Sequence, residues 1–427
     1  MKKLVLSLAL VLVSSFAIGQ ELTKEQIKEQ KKQRKALMNM VTDAEAKISV
    51  DPVGVANAVK TALKNPLVNT DPYVWYVSVS AKKAIVDGEN RKRAEGAECN
   101  EPMMYLYVHE LGNDLANLEK YDNTPDAKGR VKPKHAEFVN VTYAQEFGQF
   151  FNGGAYYYNE QDFNKAYDLF GMYVNAADKL YKAGVMPEDT INSPIASFYM
   201  TLCGMQLKDY EKVLANADNA MKSQDNAENA FRFKADAYNQ LGDTVKWLEI
   251  CKEGLTKFPN DQYYSQSLIF YYDSNNKSEE LNKLADELIA TDASNPLYVY
   301  LKGYIAHQKS DYDTAIEWYE KTLAVDGNYE NALSNLGRCY LIKAQEYSAA
   351  HSSTKVSDKK KIAEDKKVLD GLYRKALPLL EKLREIAPDK HELWLTNLTN
   401  CYYNLKMAEK VKEMEALQKS LGYMLEE

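Results

Sequence analysis

Residues 295–328 read NPLYVYLKGYIAHQKSDYDTAIEWYEKTLAVDGN, and this stretch decides how the chain folds. Counted from Pro296, it puts Gly303 at position 8, Ala315 at position 20 and Tyr319 at position 24. Between two apolar-periodic halves lies the run Asp311-Tyr312-Asp313-Thr314, a turn followed by a helix start. Two antiparallel helices approach closely only where side chains are small, and large residues then fill the gaps between successive hairpins. The spacing therefore predicts one helical hairpin.

The same phase extends in both directions. Units starting 34 residues apart at Pro194, Glu228 and Gln262 share it, and the middle one places Phe231, Ala235, Tyr238, Gly242, Gly254 and Pro259 at positions 4, 8, 11, 15, 27 and 32. From Gln262, Tyr272, Leu281 and Ala285 fall at positions 11, 20 and 24. From Glu330, the first helix keeps Leu333, Leu336, Gly337 and Tyr340, but Ala376, Leu380, Leu383 and Pro388 come 27 residues late. A helical insertion is expected at about 344–372, either a solvated extension of both helices or a basic contact element carrying Lys359, Lys360, Lys361, Lys366 and Lys367. The array resumes at His391 with Trp394, Cys401 and Tyr402, giving a continuous array over 194–425. Residues 147–193 form one further unit with a longer link, placing Phe150, Gly154, Tyr157, Ala166 and Phe170 at positions 4, 8, 11, 20 and 24.

Upstream the pattern weakens. Residues 20–50 read as a charged, exposed or capping helix, and 51–146 as degenerate hairpins with inserted loops. Within the latter, Asp71-Pro72 opens an aromatic helix, 87–101 is a polar stretch, and 123–133 is a loop. Residues 1–19 run from Lys2 and Lys3 through an apolar stretch to Ala17-Ile18-Gly19, the layout of a cleavable secretory signal. The mature chain is expected to be periplasmic or secreted and to start near Gln20. The first cysteine is Cys99, so no lipoprotein anchor is indicated. Subtracting Lys2 and Lys3 from 54 basic residues leaves 52 against 61 acidic ones, a net charge of -9, which does not suit nucleic acid.

In these positions residues 147–425 resemble the tetratricopeptide repeat family, in its exported bacterial envelope form, and 53–134 do so loosely. The resemblance implies an all-α superhelical solenoid whose concave face, lined by first helices, grips a protein or peptide. Its positions 2, 5, 9 and 12 nominate Phe151, Tyr158, Phe198, Arg232, Tyr263, Phe270, Tyr300, Tyr304 and His307 for that face. A non-enzymatic scaffold or adaptor of the cell envelope follows. Replacing Tyr300 and Tyr304 together by alanine is expected to weaken the partner and leave the melting temperature within a few degrees. A glycan-binding protein stacking sugars on groove aromatics is the alternative. The five histidines have no metal-ligand spacing and Gly153-Gly154 follows no strand, so neither metal, cofactor nor phosphate loop is expected. Cys203, Cys251, Cys339 and Cys401 occupy helix positions that predict burial, with disulfide pairing left open.

Overall fold

The computed structural model describes residues 23–259, 261–352 and 358–422, and the signal reading over 1–19 lies outside them. Among the described residues there are eighteen α-helices and no strand. The chain divides into two compact units, Met1–Asp261 and Gln262–Glu427. The first holds α1 (Lys24–Glu45), α2 (Pro52–Leu63), α3 (Pro72–Ala94), α4 (Glu101–Asp122), α5 (Ala136–Asn159), α6 (Phe163–Lys182), α7 (Asn192–Leu207), α8 (Tyr210–Ala220), α9 (Ala227–Gln240) and α10 (Thr244–Lys257). The second holds α11 (Gln262–Ser274), α12 (Ser278–Thr291), α13 (Pro296–Gln308), α14 (Tyr312–Val325), α15 (Glu330–Ala350), α16 (Lys359–Ile386), α17 (His391–Asn404) and α18 (Ala408–Ser420). Helices pack in consecutive pairs, so each unit is an all-α solenoid of antiparallel hairpins.

One piece of stereochemistry makes the hairpins. Lys208, Gly242, Asn276 and Ser310, each 34 residues from the next, all take left-handed backbone with φ of 54°, 75°, 53° and 58°. In each case the following N–H closes back on the first helix: Asp209 to the Gly204 carbonyl, Asp243 to Tyr238, Lys277 to Tyr272 and Asp311 to Ala306, at 2.7–3.0 Å. This reversal satisfies the last carbonyls of one helix. Where aspartate follows, its carboxylate caps the next helix, as Asp311 does by accepting from Thr314 N–H and Asp209 from Lys212 N–H. Gln161 and Asp162 repeat the device between α5 and α6.

Close approach occurs at position 8. A methyl built on Gly303 would lie 2.6 Å from the Tyr319 ring, one on Gly154 2.8 Å from Phe170, and one on Gly337 2.9 Å from Leu380. Each contact joins position 8 of a first helix to position 24 of its partner. In the last of these, position 24 is reached only across the insertion.

The insertion lengthens both of its helices. α15 runs to Ala350, past the point where other first helices turn, and α16 begins at Lys359. Tyr347 OH donates to Asp365 at 3.0 Å and its ring stacks on His351 at 4.1 Å, tying the two extensions together. Ser353 and Thr354 of the insertion lie outside the described residues. In the last hairpin the left-handed residue is Lys406, one position later than the 34-residue phase, so α17 keeps the register while its turn slips by one.

Upstream, the polar stretch 87–101 differs from a loop in its first half, because α3 continues to Ala94. Its polar residues are paired in place: Glu89, almost fully buried, accepts from Lys92 Nζ at 2.6 Å and from Asn100 N–H at 2.8 Å. α5 likewise begins at Ala136, so a division between 146 and 147 falls inside a helix. Between α3 and α4 sits a buried charge network. Lys82, 3% exposed, reaches Asp114 at 2.6 Å and Glu110 at 3.1 Å, and Ser78 Oγ donates to Asp114 at 2.6 Å. An ammonium taken from water is tolerated only when paired and hydrogen-bonded in this way.

Candidate functional site

The nine groove candidates divide between the two units. In the first, Phe151 packs edge-on against Phe170 and Tyr173 at 5.5 and 5.1 Å, and Tyr158 meets Phe163 and Tyr199 at 5.6 and 5.2 Å. Phe198 stacks on Phe233 at 6.2 Å. All three are half-buried, as is Arg232. Their rings are partly spent on bracing α5, α6, α7 and α9.

In the second unit the first helices α11, α13, α15 and α17 carry a graded series of side chains. Phe270 of α11 is 72% exposed, while Tyr263 is half-buried against Tyr264. Tyr304 of α13 is half-buried and its OH donates to Asp273 of α11 at 2.6 Å. Burial and that carboxylate push the Tyr304 phenol up to about 12. His307 lies near both Tyr319 OH, at 3.4 Å, and Cys339 Sγ, at 3.5 Å. Burial and the neighbouring Arg338 guanidinium hold its imidazole below the ordinary histidine range, so it is neutral at pH 7.

Tyr300 corrects the sequence reading. It is 7% exposed, its ring lies among Tyr304, Tyr319 and Tyr329 at 6.2, 5.6 and 5.4 Å, and its oxygen accepts from Asn335 Nδ2 at 2.8 Å. It is a core residue joining α13 to α15, because the small Gly303 lets Tyr319 and Tyr300 close over each other. A Tyr300→Ala change therefore opens the core and cannot leave the melting temperature unchanged.

Sequence reasoning missed a polar recess of this unit. Between α15 and α17 lies a cavity of about 620 Å³ whose wall includes Arg338, Gln345, Tyr373, Asn397, Asn400 and Asn404. Ser348 and Ser352 of the insertion also line it. The signal was present as Asn397, Asn400 and Asn404, spaced so as to share one face of α17. It was legible only once the position of α15 was known.

The alternative of sugar stacking finds no support in this arrangement. A sugar platform needs open aromatic faces, and of the nine candidates only Phe270 is exposed. All five cysteines are free thiols, and burial pushes those of Cys203, Cys251, Cys339 and Cys401 up to about 12, leaving them protonated at pH 7. Among the described residues no three side chains are grouped to hold a metal ion, and no helix is long and apolar enough to cross a membrane.

The repeated left-handed turn, the position 8 to position 24 contact and the consecutive pairing define a tetratricopeptide-like helical repeat protein. No family model matches the sequence, and no curated protein matches it. Among solved structures it is similar to a TPR repeats protein from Bacteroides fragilis NCTC 9343, at 18% identity over 63% of this chain and 98% of that one, with a TM-score of 0.31. It is also similar to a monomeric mutant of IFIT1 with Gppp-AAAA, at 16% identity over 83% and 76% of the two chains and a TM-score of 0.37. For the P58(IPK) TPR domain the values are 15% identity, 88% and 99% coverage, and a TM-score of 0.27.

Proposed function

We propose that the protein is a non-enzymatic interaction scaffold of the bacterial cell envelope that holds a protein partner along the first helices of its second unit. The observation that carries this reading is the sequence of side chains left available there: an exposed aromatic at Phe270, a guanidinium at Arg338 that joins no ion pair among the described residues, and a carboxamide row on α17. Aromatic rings and arginine supply most of the energy of protein interfaces, and carboxamides supply directional hydrogen bonds. Protein recognition needs no titrating nucleophile, which accords with a Cys339 thiol held at about 12 and with a neutral His307.

The test is affinity purification from envelope fractions with wild type beside Phe270→Ala combined with Arg338→Met. Both residues are exposed, so the variant is expected to fold normally and to lose at least one partner by about tenfold. Equal recovery of every protein by the two baits refutes the groove. The envelope location rests on the basic, apolar and small-residue layout of residues 1–19. N-terminal sequencing of the cell-derived protein is expected to begin near Gln20, and an intact Met1 in the cytosol would overturn that part.

A further inference from the structure

From the first turns of α1 we infer that the protein lies against an anionic phospholipid surface through a stripe of five lysines, Lys24, Lys28, Lys31, Lys32 and Lys35. The contact is separate from the first helices of the second unit, so it stands or falls independently of the scaffold reading.

Helical geometry gathers the five ammonium groups. At about 100° per residue they fall within an arc of about 100°, and from Lys24 to Lys35 the row runs about 16 Å. The buried residues of α1, Val41 and Ala44, lie on the opposite side of the helix. All five lysines are exposed, and none joins an ion pair among the described residues. Arg34, off the stripe, is by contrast paired with Asp71 at 2.5 Å. Between Lys24 and Lys35 six basic residues meet only Glu25 and Glu29, a local net charge of +4 in a chain whose formal net charge is -7.

The stripe works against its own helix. Like charges three or four residues apart repel, and Lys24 meets Lys28 in this way, Lys28 meets Lys31 and Lys32, and both of these meet Lys35. Cations in the first turns also oppose the helix dipole. The helix is nonetheless fixed at both ends of the stripe. Gln26 N–H donates to Thr23 Oγ1 at 3.2 Å and Thr23 N–H to Gln26 Oε1 at 2.8 Å, closing a capping box. Leu37 and Met38 pack on the core formed with α2 and α3. The repulsion is thus held in a preformed row with no carboxylate paired to it, and a layer of anions relieves it.

The chemistry of the row selects a lipid surface over other polyanions. Protein interfaces are depleted of lysine and enriched in aromatic residues, and α1 has no aromatic residue from Lys24 to Glu45. The same lack denies stacking to the bases of a single-stranded nucleic acid. Lysine is a hydrated point charge on a flexible stem, which suits headgroups that move to meet it, whereas bidentate recognition of a fixed anion calls for arginine. A straight row meets a plane along its whole length. No apolar side chain falls within the stripe, so α1 rests on the headgroups without entering the acyl layer and salt releases it.

The test is co-sedimentation of the whole mature protein with vesicles of phosphatidylcholine alone, and of phosphatidylcholine with one third phosphatidylglycerol, at low and physiological salt. Binding to the anionic vesicles alone, weakened by salt, is expected. The triple variant Lys31→Gln, Lys32→Gln, Lys35→Gln is expected to lose it by about a hundredfold, at about fivefold per lysine. That variant is expected to melt no lower than wild type, because glutamine is a comparable helix former and the repulsion is removed. The control triple Lys359→Gln, Lys360→Gln, Lys361→Gln removes the same charge from α16 and is expected to change binding by less than about threefold. Absence of binding to the anionic vesicles overturns the inference, as does equal binding to the neutral ones. Equal loss in the two triple variants also overturns it, since binding then follows net charge and not α1. If vesicles are not bound but duplex DNA binding or salt-sensitive self-association is, and the α1 triple abolishes it, the stripe serves another polyanion or a second copy and the lipid surface is refuted.

Discussion

Gly303→Ala probes the contact on which the hairpin geometry depends, and its sign is opposite to the one helix propensity gives. Within a helix, alanine is favoured over glycine by about 1 kcal/mol. At Gly303, however, the new methyl would sit 2.6 Å from Tyr319 Cδ1 and 2.7 Å from Cε1. Ordinary carbon contacts lie at about 3.5–4.0 Å, so the ring or the helix must give by about 1 Å. Tyr319 has no exposed surface and is backed by Tyr300 at 5.6 Å, which leaves it nowhere to go. Overpacking of this kind costs about 1–3 kcal/mol, so after the propensity gain of about 1 kcal/mol the net effect is a destabilisation of up to about 2 kcal/mol. Gly371→Ala, in the interior of α16 with nothing within 4 Å of the added carbon, is the control and is expected to stabilise by about 0.5–1 kcal/mol. Urea titration followed by circular dichroism reads the difference, and hydrogen exchange localises it to α13 and α14, since repeat arrays need not unfold as one. Should Gly303→Ala follow Gly371→Ala upward in stability, the position 8 contact is not what sets the helix separation.

Other outcomes follow from the same geometry. Tyr300→Ala is expected to cost about 3–5 kcal/mol, as for a buried aromatic, whereas Phe270→Ala stays within about 0.5 kcal/mol; thermal melts of the two variants check this, and equal melting temperatures would return Tyr300 to the open face. Tyr300→Phe removes the acceptor of Asn335 Nδ2 and is expected to cost about 1 kcal/mol in the same melts. The turn carboxylates Asp162, Asp243 and Asp311 titrate below the usual aspartate range. At Asp162 burial pushes upward but is outweighed by Lys165, while Lys246 holds Asp243 down and Thr314 holds Asp311 down. Their folded values lie below the unfolded one of about 3.9, so the stability they lend is complete above that pH and is lost as pH falls through the depressed values. Acid titration of helicity is therefore expected to flatten below about pH 4 in the triple Asp→Asn variant, and an unchanged acid limb would refute the cap assignment.

The carboxyls buried in the first unit behave in the opposite sense. Burial raises Asp114 and Glu146 despite their lysine partners. As pH falls through those raised values toward the unfolded ones, the native state takes up protons first and gains stability from these two groups. Carboxyl-carbon NMR titration is expected to find both above their ordinary values, and a depressed value for either would show that Lys82 or Lys83 outweighs desolvation.

The hairpin phase belongs to the sequence alone, because everything that sets it is local. A left-handed residue, an aspartate one step later and a small residue at position 8 act within a single 34-residue unit, so their spacing is visible without knowing any neighbour. Burial of Cys203, Cys251, Cys339 and Cys401 was legible for the same reason. Which first-helix side chains remain free was decided only by the tertiary structure. Position 5 of α13 carries Tyr300 into the core, while position 9 of α11 leaves Phe270 in solvent, and the difference lies in what the adjacent helices place opposite each residue. The same holds for the cavity at Arg338: Asn397 and Gln345 are 52 residues apart in the chain, and only the packing of an overlong α15 beside α17 makes them walls of one recess. A single helix carries its own turn in its sequence, but the exposure of its face is a property of its neighbours.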